Sequence, residues 1–234
     1  HSGNDKKLNF EINNYKKFKN KIIYKVIENQ PKGIIEINKD DDPGTQSVNK
    51  RMNSLKRIEL SYDIALDCLT EANPEDLFIL SDSDEIPNLE KVNFGQINNK
   101  ILIFKQKMFY YKFNLYYDLI PWFGSRACAV RRLVTPTWLK YIKPKEYSLL
   151  RIDSWLSKTK YSSVKIIENG GWHFCNMKSP EDIEKKLFNF GHHNEVEESG
   201  IDLEKIKEMV REKKIYHDHL VDKTQQKHRI EGYK

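Results

Sequence analysis

The sequence predicts an α/β protein: a mixed, mostly parallel central sheet flanked by helices over residues 1–195, with a helical C-terminal tail over 196–234. Three observations lead there. Leu77-Phe78-Ile79-Leu80 is an unbroken apolar run bounded by Pro74-Glu75-Asp76, the pattern of a strand covered on both faces in the middle of a parallel sheet. Ahead of it, Leu55, Ile58, Tyr62, Ala65, Leu66 and Leu69 recur at helical spacing and make one apolar face. Beyond it, short apolar runs and amphipathic stretches follow one another as far as Ile215. A chain of 234 residues is long enough for one sizeable domain with its own core.

Taken in order, residues 1–20 are polar, with Leu8, Phe10, Ile12, Tyr15 and Phe18 as apolar anchors. Lys21-Ile22-Ile23-Tyr24-Lys25-Val26-Ile27 reads as a strand. Lys39-Asp40-Asp41-Asp42-Pro43-Gly44 is a loop by composition, and its aspartates suit a solvated turn. The long helix runs from about Thr45 to Leu69 and ends at Ala72-Asn73-Pro74. A short helix or turn covers 88–94, and Ile101-Leu102-Ile103-Phe104 is a strand. Lys107–Phe113, rich in aromatics that favour strands, continues that strand or begins its neighbour. Trp122-Phe123-Gly124 looks like a turn feeding a further strand, and 135–142 and 148–158 have helical character. Val164-Lys165-Ile166-Ile167 is a short strand. Ser179-Pro180-Glu181-Asp182 opens a helix, with Ser179 able to cap it and Pro180 suited to the first position. A last amphipathic helix covers 201–215, and the polar tail from Asp222 frays.

Composition narrows the function classes. Lys and Arg number 40 against 34 Asp and Glu, a net charge of +6. The lysines are scattered, without the concentrated basic stripe of a nucleic-acid binder, and a diffuse positive field suits a small anionic substrate such as a nucleotide diphosphate. Aromatic residues reach 12%, which argues against disorder and suits stacking on sugars or bases. Cys68, Cys128 and Cys175 lie far apart without zinc spacing and read as reduced, packing thiols. No segment is long and apolar enough to span a membrane. The opening His1-Ser2-Gly3 lacks Met, as in a fragment of a longer product, and no signal peptide is legible.

The chemistry concentrates in two places. Past the Leu77–Leu80 run the chain turns abruptly acidic, as Ser81-Asp82-Ser83-Asp84-Glu85-Ile86-Pro87. In open α/β sheets, ligands bind just beyond the carboxyl ends of strands. In an extended segment, Asp82 and Asp84 point the same way, and two carboxylates about 5 Å apart repel by roughly 3 kcal/mol at an effective dielectric near 20. A hard divalent cation, Mg²⁺ or Mn²⁺, converts that repulsion into attraction. Acidic residues between a strand and a proline are also common in plain turns. The second place is Glu168-Asn169-Gly170-Gly171-Trp172-His173-Phe174. Its glycines allow close backbone approach, Trp172 suits stacking on a sugar or base, and His173 suits a metal or a diphosphate. Trp172 and Phe174 equally suit a core, with His173 as a hydrogen-bonded core histidine. Adjacent His192 and His193, and His217 with His219, face apart and do not suggest a second metal site.

Together, Asp82-Ser83-Asp84-Glu85-Ile86-Pro87 and Gly171-Trp172-His173-Phe174 followed by Ser179-Pro180-Glu181-Asp182-Ile183 resemble glycosyltransferase family 17, the β-1,4-mannosyl-glycoprotein 4-β-N-acetylglucosaminyltransferases. Arg57 resembles the Arg of that family's Gln-Arg pair, and Trp122 with Gly124, and Leu8-Asn9-Phe10, also fit. The resemblance covers most of residues 1–195. Lys56 stands where the family has Gln and Cys175 where it has Ser, and the family's first strand and nucleotide-contacting turn are expected before His1.

The resemblance implies a GT-A-like fold and a metal-dependent, inverting transfer of a sugar, N-acetylglucosamine by analogy, from a UDP-sugar to a glycan acceptor. It implies Mn²⁺ or Mg²⁺ on Asp84 and Asp82, or Asp82 at the ribose instead. His173 would complete the metal or diphosphate contacts, Trp172 would stack, and Arg57 or Arg126 would clamp the phosphates. Inversion needs a carboxylate base, for which Glu85, Asp153 and Glu168 are the candidates. The compartment would be cytoplasmic for a bacterial or viral enzyme and the Golgi for a piece of an animal-type one. Two other readings stand beside this: a non-catalytic glycan- or nucleotide-binding relative, and a metal-dependent phosphoesterase, for which further acidic or His ligands at strand ends are few.

Overall fold

The computed structural model describes residues 2–3, 10–96, 100–148, 150–190, 193–215, 228–229 and 231–232. His1, Leu8, Asn9, His192, His217, His219 and most of the tail from Asp222 lie outside the described residues. The helices are α1 (Pro43–Asp63), α2 (Pro136–Tyr141), α3 (Ile152–Trp155), α4 (Pro180–Leu187), α5 (His193–Ser199) and α6 (Leu203–Glu212). The strands are β1 (Leu77–Leu80), β2 (Glu85–Pro87), β3 (Ile101–Tyr110), β4 (Leu115–Ala129), β5 (Val164–Ile167), β6 (Gly171–Cys175), β7 (Lys214–Ile215), β8 (His228–Arg229) and β9 (Glu231–Gly232). The chain falls into two compact units, His1–Glu71 with Lys185–Ile201, and Ala72–Glu184 with Asp202–Lys234.

The first unit is helical. Asp42 ends the acidic loop as the N-cap of α1, with Pro43 at the first helical position, where a missing N–H costs nothing. The expected helix is continued past Asp63 by a 3-10 turn, Ile64–Cys68. Asn53, buried on α1, accepts from the Ile35 N–H (2.8 Å) and donates to the Ile35 carbonyl (2.7 Å), pinning the preceding segment to the helix. The strand expected over Lys21–Ile27 does not form: the segment follows a 3-10 run, Ile12–Lys21, and carries no ladder among the described residues. Ile23, Val26 and Ile27 stay exposed there, so no neighbouring strand rewards the extended pattern.

The second unit is built on one mixed sheet, ordered β1-β4-β3-β6-β2, with β5 also on β3 and β9 on β4. The sheet is mostly antiparallel, which corrects the mostly parallel expectation. β3 runs parallel to β5 and β6, but β1–β4, β3–β4, β2–β6 and β4–β9 are all antiparallel. β1 is not the middle of a parallel sheet; it ends the path beside β4, pairing Leu77 with Ala129 and Leu80 with Arg126. The apolar run misled because Leu77 and Ile79 pack on the same buried cluster as Leu102, Phe104, Ala127 and Ile167, so a strand at the end of the path is covered as a central one would be.

β3 is the core of the sheet, with Ile101–Phe104 fully buried. Each such side chain contributes about 1.5–3 kcal/mol by leaving water. The Trp122–Gly124 turn expected from sequence is instead the interior of the 15-residue strand β4, and register shifts near Ile103/Lys105 and Gln106/Met108 bend the β3–β4 ladder there. β5 and β6 share one edge of β3: β5 lies along Ile101–Phe104 and β6 along Lys107–Tyr110, with Gly170 N–H donating to the Lys105 carbonyl between them (2.8 Å). Gly171 makes the second junction possible. Its φ of 124° is open to glycine alone, and a Cβ there would meet the Ile86 carbonyl oxygen at 2.0 Å. At the C-terminal end the expected helix is α6, followed by β7, which pairs with β8; this part of the tail is strand and not helix. The helical expectation over 148–158 contracts to α3.

Candidate functional site

The acidic stretch begins where β1 ends, but it is not extended. Glu85 N–H donates to the Asp82 carbonyl (3.0 Å), closing a turn with Ser83 and Asp84 at its tip. The Glu85 carboxylate closes the same turn from the other side by accepting the Asp82 N–H at 3.2 Å. The premise that Asp82 and Asp84 point one way along a strand is therefore corrected: the turn sends them to different partners. Asp82 Oδ2 accepts from Lys140 Nζ at 2.8 Å, and Asp84 Oδ1 lies 3.5 Å from His173 Nε2. The Asp84 carbonyl accepts from Phe174 N–H (2.8 Å), which staples the turn to β6.

Beneath the turn is a buried polar network. The Glu85 side chain is fully buried. Its Oε1 accepts from Trp122 Nε1 at 3.0 Å and its Oε2 from Ser125 Oγ at 3.3 Å, with Lys140 Nζ 3.9 Å away. Ser125 Oγ in turn accepts from Ser81 Oγ (2.7 Å) and Gln106 Nε2 (3.0 Å). A buried carboxylate is tolerable only with such a full set of donors and a nearby cation. Gly124 leaves the room for it, since a Cβ there would sit 1.9 Å from Gln106 Oε1 and 2.7 Å from Glu85 Oε1.

His173 faces Glu85 across the β2–β6 ladder and is 4% exposed. Trp122 stacks on its ring, centroids 4.3 Å apart and planes 18° from parallel. Its Nδ1 is buried and accepts or donates no hydrogen bond among the described residues, so Nε2, toward Asp84, is the ring's polar face within the site. Trp172 is not the aromatic of this cluster. Alternate residues of a strand face opposite ways, so Trp172, paired with Ile86, lies on the other face from His173 and Glu85. It is 39% exposed and Ile86 52%.

Each of the three carboxylates expected as bases has protein partners. Glu85 is the buried organiser just described. Asp153 is held by Arg151 (2.8 and 2.9 Å) and by Lys160 (2.8 Å), and the hydrogen bonds from Arg151, then Lys160, keep its carboxyl well below the ordinary range. Glu168 pairs with Lys105 at 2.9 Å. Lys105 precedes Gln106 on β3, so its side chain leaves the sheet on the face away from the Gln106–Ser125–Glu85 network.

Arg126 is buried on β4, where its Nη1 donates to the Leu139 carbonyl (3.0 Å) and so holds the end of α2 beside Lys140. Arg57 belongs to the other unit. It donates there to Gln30 Oε1 at 2.8 Å and lines a cavity of about 250 Å³ with Lys50, Asn53, His193 and Glu197. Buried Cys128, whose thiol burial pushes up to about 11, packs as expected.

Lys140 is the site residue the sequence did not offer. It lies 58 residues from Asp82, on α2, and nothing in its neighbours separates it from the chain's other lysines. Trp122 was legible only as an aromatic beside Gly124. Its role depends on β4 passing beneath the turn.

The donor set at the turn is a carboxylate with an imidazole nitrogen facing it, and a second carboxylate two residues away. Among the described residues no group of three or more His, Cys, Asp or Glu gathers at metal-ligand spacing. Two protein ligands fit Mg²⁺ or Mn²⁺, which are commonly held by one or two carboxylates with substrate phosphates completing the shell. No helix among the described residues is long and apolar enough to cross a membrane. Comparison with known proteins adds no kinship: no family model matches the chain, and no curated protein or solved structure matches it.

Proposed function

We propose that the chain is a metal-dependent glycosyltransferase of GT-A-like architecture that uses a UDP-sugar as donor and a glycan as acceptor. The observation that carries the reading is the turn at the end of β1, which brings Asp84 to 3.5 Å from His173 Nε2 and leaves Asp82 beside Lys140. Asp84 and His173 would hold Mn²⁺ or Mg²⁺, and when bound the ion supplies Lewis acidity to the diphosphate oxygens. Trp122 fixes the plane of the imidazole, and Glu85 fixes the turn that presents Asp84. Asp82, half-exposed, and Lys140 offer an acceptor and a cation to the ribose and diphosphate of the donor. The sequence resemblance to glycosyltransferase family 17 supports the same assignment and suggests N-acetylglucosamine as the sugar.

A second reading, a non-catalytic nucleotide- or glycan-binding protein, is favoured by one observation: Glu85, Asp153 and Glu168 are each engaged by protein partners, Glu85 by Trp122, Ser125 and the Asp82 N–H, Asp153 by Arg151 and Lys160, and Glu168 by Lys105. Donor hydrolysis and transfer from UDP-N-acetylglucosamine with Mn²⁺ separate the two. The enzyme reading expects turnover that Asp84→Ala reduces by at least about a hundredfold, the scale of losing a transition-state charge contact. Equal turnover in the two proteins removes Asp84 from the metal, and UDP binding without any turnover selects the second reading.

A further inference from the structure

We infer that the loop carrying Leu150, Ile152 and Leu156 docks on an anionic lipid surface, its apolar tip entering the headgroup boundary and the cations at its base meeting the headgroups. The inference goes beyond the proposed function and does not rest on the donor site. The loop belongs to the second unit and lies between α2 and β5. Its two ends are tied together: Lys143 N–H donates to the Thr159 carbonyl (2.9 Å) and Tyr147 N–H to the Tyr161 carbonyl (3.2 Å). A loop closed at its base presents its tip outward. Leu150 and Leu156 are the two most exposed large apolar side chains among the described residues, at 90% and 88%, and Ile152 is 72% exposed. Ile152 opens α3 and Leu156 directly follows it, four residues on, a spacing that a helical turn brings to one side. Single exposed apolar residues are ordinary, but three in one short segment mark a surface that something else covers.

The charge around the tip selects the occupant. From Lys143 to Lys160 the chain carries five cations against two carboxylates, half of its net charge of +6. Arg151 and Lys160 hold Asp153, one of the two carboxylates. Lys145, Arg151 and Lys160 also gather over the ring of buried Tyr147, each within 5.8 Å of its centre, which fixes them at the base of the loop. Lys143, Lys145 and Lys158 are exposed. A second copy docking symmetrically through this patch would set like charges against one another. An anionic leaflet offers the reverse: hydrocarbon beneath a negatively charged surface, matching an apolar tip above a cationic base. Lying on such a surface needs no membrane-spanning helix.

Co-sedimentation of the whole chain with lipid vesicles, without donor or metal, tests this. With vesicles of about three parts phosphatidylcholine to one of phosphatidylserine in about 0.1 M salt, the protein pellets with the lipid. Its partitioning into phosphatidylcholine alone is at least about tenfold weaker. Leu150→Ser, Ile152→Ser and Leu156→Ser together weaken partitioning into the anionic vesicles at least about tenfold. Lys143→Gln and Lys158→Gln each weaken it about fivefold. All five positions are exposed, so the variants keep their fold, checked by urea denaturation. A wild-type protein that stays in the supernatant overturns the inference, as does a triple serine variant that partitions like wild type or equal binding to neutral and anionic vesicles. A dimer seen by sedimentation equilibrium and abolished by the serine substitutions, without vesicle binding, overturns it in favour of a second copy. Asp84→Ala binds vesicles as wild type does, so failure of the lipid contact and failure of the donor site are read separately.

Discussion

Asp40-Asp41-Asp42 and Asp82-Ser83-Asp84-Glu85 are near twins in composition, and both precede a proline, yet the chain answers them differently. The first is answered locally. Asp42 accepts from the N–H and hydroxyl of Thr45 three residues on, and Gln46 donates to the Asp41 carbonyl at 2.7 Å. The second is answered by distant chain: Trp122, Ser125 and Lys140 reach it across 37, 40 and 58 residues. A carboxylate satisfied by its own next turn is a cap with its outer side in water. Carboxylates satisfied by β4 and α2, one carboxylate fully buried, hold those elements in register with the turn. The difference lies in what precedes each stretch: a polar loop in one case, and in the other a strand whose end is already fixed in the sheet.

The sharpest way to break the comparison is to remove the buried partner. Glu85→Ala strips acceptors from Trp122 Nε1, Ser125 Oγ and the Asp82 N–H, and leaves Lys140 without its inner counter-charge. We expect a loss of about 3–5 kcal/mol in urea denaturation at neutral pH, the scale of a broken buried charge pair. Glu85→Gln keeps the shape and part of the acceptor set, and should lose about 1–3 kcal/mol. A loss below about 1 kcal/mol for Glu85→Ala would place the two acidic stretches in one class.

Gly124→Ala sharpens the same point without touching a charge. The added methyl would overlap Gln106 Oε1 and crowd Glu85 Oε1, so the network must shift. Overpacking of this kind costs about 1–3 kcal/mol, again read by urea denaturation. Trp122→Phe removes the donor to Glu85 and trims the ring stacked on His173, for about 1–2 kcal/mol. Trp172→Phe, on the outer face, stays within about 0.5 kcal/mol. The pair of tryptophan variants also decides which aromatic belongs to the site.

Much of this was legible in advance, and the misses share a cause. Helix α1, strand β5, and the start of α4 at Ser179-Pro180 follow from local pattern, because period, capping residues and proline act within a few residues. The acidic turn and His173 were legible as types. Their meeting was not, since it depends on β2 pairing antiparallel with β6 in the register Glu85–His173. β1 looked central because coverage on both faces writes the same apolar run whichever way its neighbours run. Trp172 and His173 were read as one constellation because they are adjacent in sequence, whereas strand alternation sends them to opposite faces of β6. Lys140 could be found only from the fold, since a lysine carries no local signal of what it will meet.

The smallest expected effect is at Asp42, and its value is in its pH dependence. The Thr45 hydroxyl, then the Thr45 N–H, hold the Asp42 carboxyl below its ordinary value. In the unfolded chain the same group titrates near the reference value of about 3.9. The folded value is the lower one, so the stabilisation is complete above about pH 4 and is lost as the pH falls through the folded value. Asp42→Ala should therefore lower Tm by a few degrees at neutral pH, with a gap to wild type that narrows under acid. Asp42→Asn keeps a capping oxygen that does not titrate, so its Tm should follow a flatter course than wild type across that window. A gap between Asp42→Ala and wild type that stays constant from neutral pH to well below 4 would mean that the carboxylate charge contributes nothing to the cap, and that the first acidic stretch serves by its shape alone.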